Sequence, residues 1–351
     1  MCRPASASPG YSWTTRPGSD ALPQVTPPHH RPGGGFRNPW LGALPGRFSG
    51  LLRWLLVDRL VRPRSADPPP SAVRVVAPTP GRPRAAPDVI TLTWVGHATF
   101  LIQIGGRNVL TDPMWGSRAS PLAFVGPRRR VPPAMALEHL PPIDVVLQSH
   151  NHYDHLDDGT VRALARAHPE ASWFVPLGLR DFVRARGVRR VSELDWWEHR
   201  EAGPLTIAST PAQHFSARGP GDRNRTLWCS WAIRARARAV YFGGDSGLHP
   251  EFSAIGVREG PFDAALLPIG AYEPRWFMRP VHMNPEEAIL AYRDLTDGGT
   301  AALFVGMHWG TFRLTDEPLD EPPRRTQSAW AAAGLPSERL WIPQHGETRR
   351  L

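Results

Sequence analysis

The sequence contains no lysine. All 41 basic side chains are arginine, set against 32 acidic ones for a formal net charge of +9. A basic balance favours contact with phosphates, whether of nucleic acid or of an anionic membrane surface. Exclusive use of arginine is also a compositional bias, so the charge selects neither partner by itself. Cysteine is nearly absent: Cys2 and Cys229 are too few for a disulfide framework, and a reducing compartment, the cytoplasm, is the default expectation. The first 30 residues hold no apolar stretch followed by a cleavage site, which argues against a secretory signal. No uninterrupted apolar run reaches the roughly 18 residues that a membrane-spanning helix requires. The expectation is a soluble protein or one held peripherally on a membrane.

What is abundant is proline, and it divides the chain. Residues 1–35 are rich in Pro, Gly and Ser without hydrophobic periodicity, and cannot bury enough apolar area to offset ordering entropy, so they read as a disordered tail. Residues 36–87 form an apolar segment, dense in Trp and Leu as far as Val61, followed by a Pro-rich linker. Its charges do not gather on one helical face, so packing against the rest of the chain competes with insertion at a lipid surface. From residue 88 to 351 the pattern is globular, with short β-rich runs alternating with helical ones. A Gly105-Gly106 turn joins two of the opening strands. Further strands are expected at 173–176, 205–210, 226–233, 239–242, 264–267 and 301–305, and a helix at 160–167. The best-marked helix follows Asn284: Pro285 suits its first position and Glu287 completes a capping box. A four-layer αββα sandwich accommodates this order.

The chemistry concentrates at QSHNHYDHLD, residues 148–157. His150, His152, Asp154 and His155 follow the short apolar run Ile143–Leu147, so they sit where a strand ends. Residues two apart on an extended chain point the same way, which lets His150 and His152 share one ion while Asp154 and His155 reach a second. Two ions about 3.5–4 Å apart can hold a hydroxide between them. Such a site needs more ligands at strand ends downstream, and His214, Asp245 and His308 each come just after a β-like run.

These residues resemble the metallo-β-lactamase superfamily, whose His-x-His-x-Asp-His signature matches positions 150–155. A more specific likeness extends over roughly residues 36–351. The segments FRNPW (36–40), TWVGHATFLI (93–102), LTDPMWGSRASP (110–121), ELDWWE (193–198), GPFDAALLPIGAYEPRWFM (260–278) and MHWGTF (307–312) resemble the N-acylphosphatidylethanolamine-hydrolysing phospholipase D family. The resemblance implies that His150, His152 and His214 hold one zinc, that Asp154, His155 and His308 hold another, and that Asp245 bridges them. Two Zn²⁺ against two carboxylates and a hydroxide leave one net positive charge, which favours a monoanionic phosphodiester. Nitrogen and oxygen donors also suit iron or manganese, so zinc rests on the resemblance.

Around this set, Asp112 ends a strand and can orient a ligand from behind or merely cap the turn at Pro113. His97 can line the cavity or be a hydrogen-bonded core histidine. Tyr153 should diverge from its ligand neighbours, toward a substrate phosphate or into packing. By resemblance, His282 lies on the substrate side. Trp276, Phe277 and Met278 suit an acyl-chain groove or ordinary packing. Arg128, Arg129 and Arg130 form a basic run, expected on an exposed loop, that would attract anionic headgroups.

The expected activity is hydrolysis of N-acylphosphatidylethanolamine-like phospholipids to an N-acylethanolamine and phosphatidic acid by a bridging hydroxide, with Asp154 and Asp245 in the catalytic machinery. A lactonase or other acyl hydrolase would use the same metals, and a non-enzymatic zinc or lipid binder is the rival from another class. The partners expected are the phospholipid and an anionic membrane surface, without nucleic acid, because the interval from His214 to His308 leaves no room for a large added domain. A homodimer is compatible with the sequence.

Overall fold

The computed structural model describes residues 26–42, 48–61, 64–69, 73–122, 124–298 and 301–351. Residues 1–25 of the expected tail lie outside them. The first sheet contains β1 (Thr91–Gly96), β2 (Thr99–Ile104), β3 (Arg107–Thr111), β4 (Val145–Leu147), β5 (Ser172–Pro176) and β6 (Arg190–Leu194). The second contains β7 (His199–Ala202), β8 (Leu205–Thr210), β9 (Ser230–Ala235), β10 (Arg238–Phe242), β11 (Ala264–Pro268), β12 (Leu303–Met307) and β13 (Leu340–Trp341). The last strand, β14 (Thr348–Arg350), returns to pair with β1, so that each sheet has seven strands. In each sheet an antiparallel half leads into a parallel half: β1, β2 and β3 into β4 to β6, and β7 to β10 into β11 to β13. Gly105 and Gly106 both have positive φ, as the tight turn between β2 and β3 demands.

Strand alternation separates the layers. Phe100, Ile102 and Ile104 point between the sheets, whereas Leu101 points outward against Leu156, Val161 and Leu164, which accompany the helix Asp158–Ala167. In β11, Ala264 and Leu266 face inward, and Ala265 and Leu267 pack under the helix Pro285–Leu295. The result is helix, sheet, sheet, helix: the αββα sandwich. The helix Pro285–Leu295 carries the full capping box on Asn284 and Glu287. Two expected strands shift. The run 226–233 becomes extended only from Ser230, because Leu227 donates its N–H to the Leu177 carbonyl and the Trp228 indole donates to Ala212. The run 301–305 becomes Leu303–Met307, which brings its end directly to His308.

Three stretches differ from the expectation set by composition. Residues 26–37 lie against the second half of the chain as a strap: the Nε2 atoms of His29 and His30 sit 2.6 and 2.7 Å from the two carboxylate oxygens of Asp195, and Phe36 donates its N–H to Asn224. Apolar content is a poor guide here, because the strap is held by hydrogen bonds and by stacking of His29 on Trp196. The Pro-rich stretch is likewise tied down. Asp67 pairs with Arg130 and Arg313, Arg84 with Asp144, and Val75 bridges to His345. The arginine run, finally, does not form one outward face. Arg129 donates to the carbonyls of Gly116 and Met114 and lies over the Phe312 ring, while Arg128 and Arg130 are exposed, Arg130 being paired with Asp67. Among the described residues no helix is long and apolar enough to cross a membrane.

Candidate metal centre

The site lies at the carboxyl ends of strands from both sheets. β3 delivers Asp112, β4 the loop from Gln148 to His155, β8 leads to His214, β10 to Asp245 and β12 to His308. Three non-glycine residues here, His97, Asp112 and His308, have positive φ, a strained conformation that clusters at functional sites.

Two donor groups result. In the first, His150 Nε2 is 2.9 Å from His152 Nδ1, which is 3.1 Å from His214 Nε2. Hydrogen bonds behind the rings fix the tautomers. His214 Nδ1 donates to the Val281 carbonyl, and His150 Nδ1 donates to the Ser149 hydroxyl, itself donating to Asp112. The lone pairs of His150 and His214 therefore converge beside His152, as three imidazoles sharing one cation would. In the second group, His155 Nδ1 donates to Asp112 at 2.7 Å, and His155 Nε2 faces His308 Nε2 at 3.1 Å and Asp154 at 3.4 Å. Asp245 stands between the groups. Its carboxylate lies 3.1 and 3.2 Å from His155 and His308, and 3.9 Å from both His150 and His214.

The electrostatics agree with a site that needs positive charge. Burial works against charging His308, yet Asp245 and the bond to Asp154 outweigh it and hold its pKa up to about 9. Burial also opposes ionisation of Asp245, but His155 and His308 hold it well below the usual carboxylate range. Metal cations would take the place of those protons, and the imidazole and carboxylate donors fit them.

The model of the beta-lactamase superfamily domain matches residues 107–309. The chain belongs to the metallo-β-lactamase superfamily. It is 44% identical to an uncharacterised protein of Mycobacterium tuberculosis over 83% of this chain and 77% of that one. It is also 44% identical to the N-acyl-phosphatidylethanolamine-hydrolyzing phospholipase D 1 of Caenorhabditis elegans, over 66% of this chain and 67% of the relative. Among solved structures, a metallo hydrolase of the archaeon Ignicoccus hospitalis superposes with a TM-score of 0.55 at 25% identity, covering 75% of this chain and 98% of that one. The protein is thus a metal-dependent hydrolase.

The candidate ligands are held from behind. Asp112 accepts from His155, the Ser149 N–H and hydroxyl, and Gln148. His97 is buried with its Nε2 2.9 Å from Asp154, so it steadies that carboxylate and does not line the cavity. In front of the donors opens a cavity of about 290 Å³, lined by His152, Tyr153, Asp154, Asp245 and His282, and on its apolar side by Phe215, Phe277, Met278, Val281 and Leu314. Burial lowers the pKa of His282 to about 3, so it presents a neutral imidazole. Tyr153 lines the cavity too, but its hydroxyl donates to the Arg218 carbonyl at 2.7 Å. The phosphate contact expected of it requires giving up that bond. Trp276 is turned outward and is not part of the lining.

Sequence reading missed Ser149, Phe215, Arg223 and Leu314. Ser149 was within reach, as the residue before the first ligand. The others are brought to the cavity by loops whose local pattern carries no signal.

Proposed function

We propose that this hydrolase is a zinc-dependent phosphodiesterase of the phospholipase D type, cleaving N-acylphosphatidylethanolamine-like phospholipids. The observation that carries the reading is the cavity, in which a metal-ligand wall faces an apolar wall of Phe215, Phe277, Met278 and Leu314. A phosphodiester that also carries acyl chains fits this pairing, and the likeness to the C. elegans phospholipase supports it. His150, His152 and His214 would hold one zinc, and Asp154, His155 and His308 a second, with Asp245 between them. When bound, the ions polarise a phosphoryl oxygen and lower the pKa of water enough to supply hydroxide near neutrality. Water adds at phosphorus while the bond from phosphorus to the N-acylethanolamine oxygen breaks, leaving phosphatidic acid.

Peripheral membrane contact belongs to the same proposal. The helical stretch formed by Phe48–Leu52, Arg53–Asp58 and Arg59–Val61 packs Trp54 against Phe277 of the cavity wall, and exposes Leu56, Val57, Leu60 and Val61. Zinc-loaded protein should convert N-palmitoyl phosphatidylethanolamine in mixed micelles to N-palmitoylethanolamine and phosphatidic acid, with ¹⁸O from labelled water found in the phosphatidic acid by mass spectrometry. Turnover of lactones with no N-acylethanolamine released would overturn the proposal.

A further inference from the structure

At one edge of the cavity, positive charge gathers without a carboxylate to meet it. Arg223 lines the cavity, its guanidinium 4.3 Å from the centre of the Phe215 ring. Among the described residues it forms no side-chain hydrogen bond or ion pair. Two partly buried arginines of the chain are satisfied within the fold: Arg218 donates to the carbonyls of Asn151 and Leu156, and Arg129 to those of Gly116 and Met114. The strap brings a second cation close. Arg31 follows the pinned His29 and His30, and after burial it is the main influence depressing the pKa of Arg223. Arg223 is exposed at the cavity rim, where an anion in the cavity would meet its charge. Stacking on Phe215 restrains the guanidinium plane, which leaves its N–H fork ready for two oxygens of one planar or tetrahedral anion.

We infer that Arg223 is a specificity-determining residue of the active site, binding the anionic oxygens of a phosphodiester and thereby favouring it over neutral esters. The inference rests on the phosphodiesterase reading. It adds what that reading leaves open: how one cavity discriminates between substrates that the metals alone would both activate. Arg223 lines the same cavity as Asp154 and Asp245, so an anion in that cavity shares it with the arginine. Charge-assisted bonds of this kind are worth about 1.5–3 kcal/mol, or roughly 10- to 100-fold.

The test compares the metal-loaded protein with Arg223→Met, which keeps the stem and removes the charge, and Arg223→Lys, which keeps the charge without the fork. Two substrates share a leaving group: bis(p-nitrophenyl) phosphate and the neutral p-nitrophenyl butyrate. Arg223→Met should lower kcat/KM for the phosphodiester about 10- to 100-fold, chiefly through KM, and at least tenfold more than for the ester, with Arg223→Lys falling between. Calorimetric binding of dibutyl phosphate should weaken in parallel at unchanged metal content. Equal losses on both substrates, or unchanged dibutyl phosphate affinity, would overturn the inference. If the unaltered protein cleaves the ester but no phosphodiester, the proposed function fails, and the dibutyl phosphate measurement still decides the role of Arg223.

Discussion

Asp112 shows how much a residue can do without facing the cavity. One carboxylate fixes the His155 tautomer at 2.7 Å and takes both the N–H and the hydroxyl of Ser149 at 2.6 Å, so it indirectly orients His150 as well. In Asp112→Asn an amide N–H must face at least one of these donors. His155 then loses the acceptor that keeps its Nε2 unprotonated. Metal affinity should fall about 10- to 100-fold, the usual cost of losing a partner behind a ligand. Chelator competition would measure it, and unaltered affinity would show that the Asp112 contact is only structural. The seven ligand candidates could be read from the sequence because four share one motif and the others each follow a β-like run. Whether Asp112 pointed at the site or at Pro113 could not, since that depends on its positive φ and on how β3 lies beside β4.

At the scale of elements, the site depends on where strands stop. Gly244 sits between β10 and Asp245 with φ +55°, and a Cβ there would come within 2.7 Å of the Ser149 Cβ and 3.3 Å of the Cys229 carbonyl. Gly244→Ala should therefore cost about 1–3 kcal/mol and displace both Ser149 and Asp245. The expected result is a lower denaturation midpoint together with reduced metal content. Gly219→Ala, where nothing lies within 4 Å, serves as the control and should change neither. Equal behaviour of the two variants would remove Gly244 from the account. Strands such as β8 were fully legible from their residues, as was the capped helix Pro285–Leu295, because alternation and capping depend on near neighbours. The start of β9 was not, because distant carbonyls at Leu177 and Ala212 take the backbone and indole N–H groups just before it.

Across the whole molecule, several histidines are buried as neutral groups, which ties stability to pH. His249 stacks between Trp40 of the N-terminal segment and Phe252, and burial lowers its pKa to about 3. The unfolded chain binds a proton near pH 6.5 that the folded one refuses, so stability is lost as pH falls below that value. Between pH 7 and pH 5 this residue alone should remove about 2 kcal/mol. His249→Phe keeps the stacking and should shrink the acid-induced drop in urea stability by that amount, whereas an identical drop would mean that His249 is not the linked group. The chain's own order determined the ligand motif, the succession of strands and helices and hence the layered architecture, because residue type, periodicity and caps act over a few positions. The strap on Asp195, the burial of Arg129, the cavity wall and the exposed charge of Arg223 were decided only by the tertiary structure. Each depends on which remote segments meet, and no spacing along the chain records that meeting.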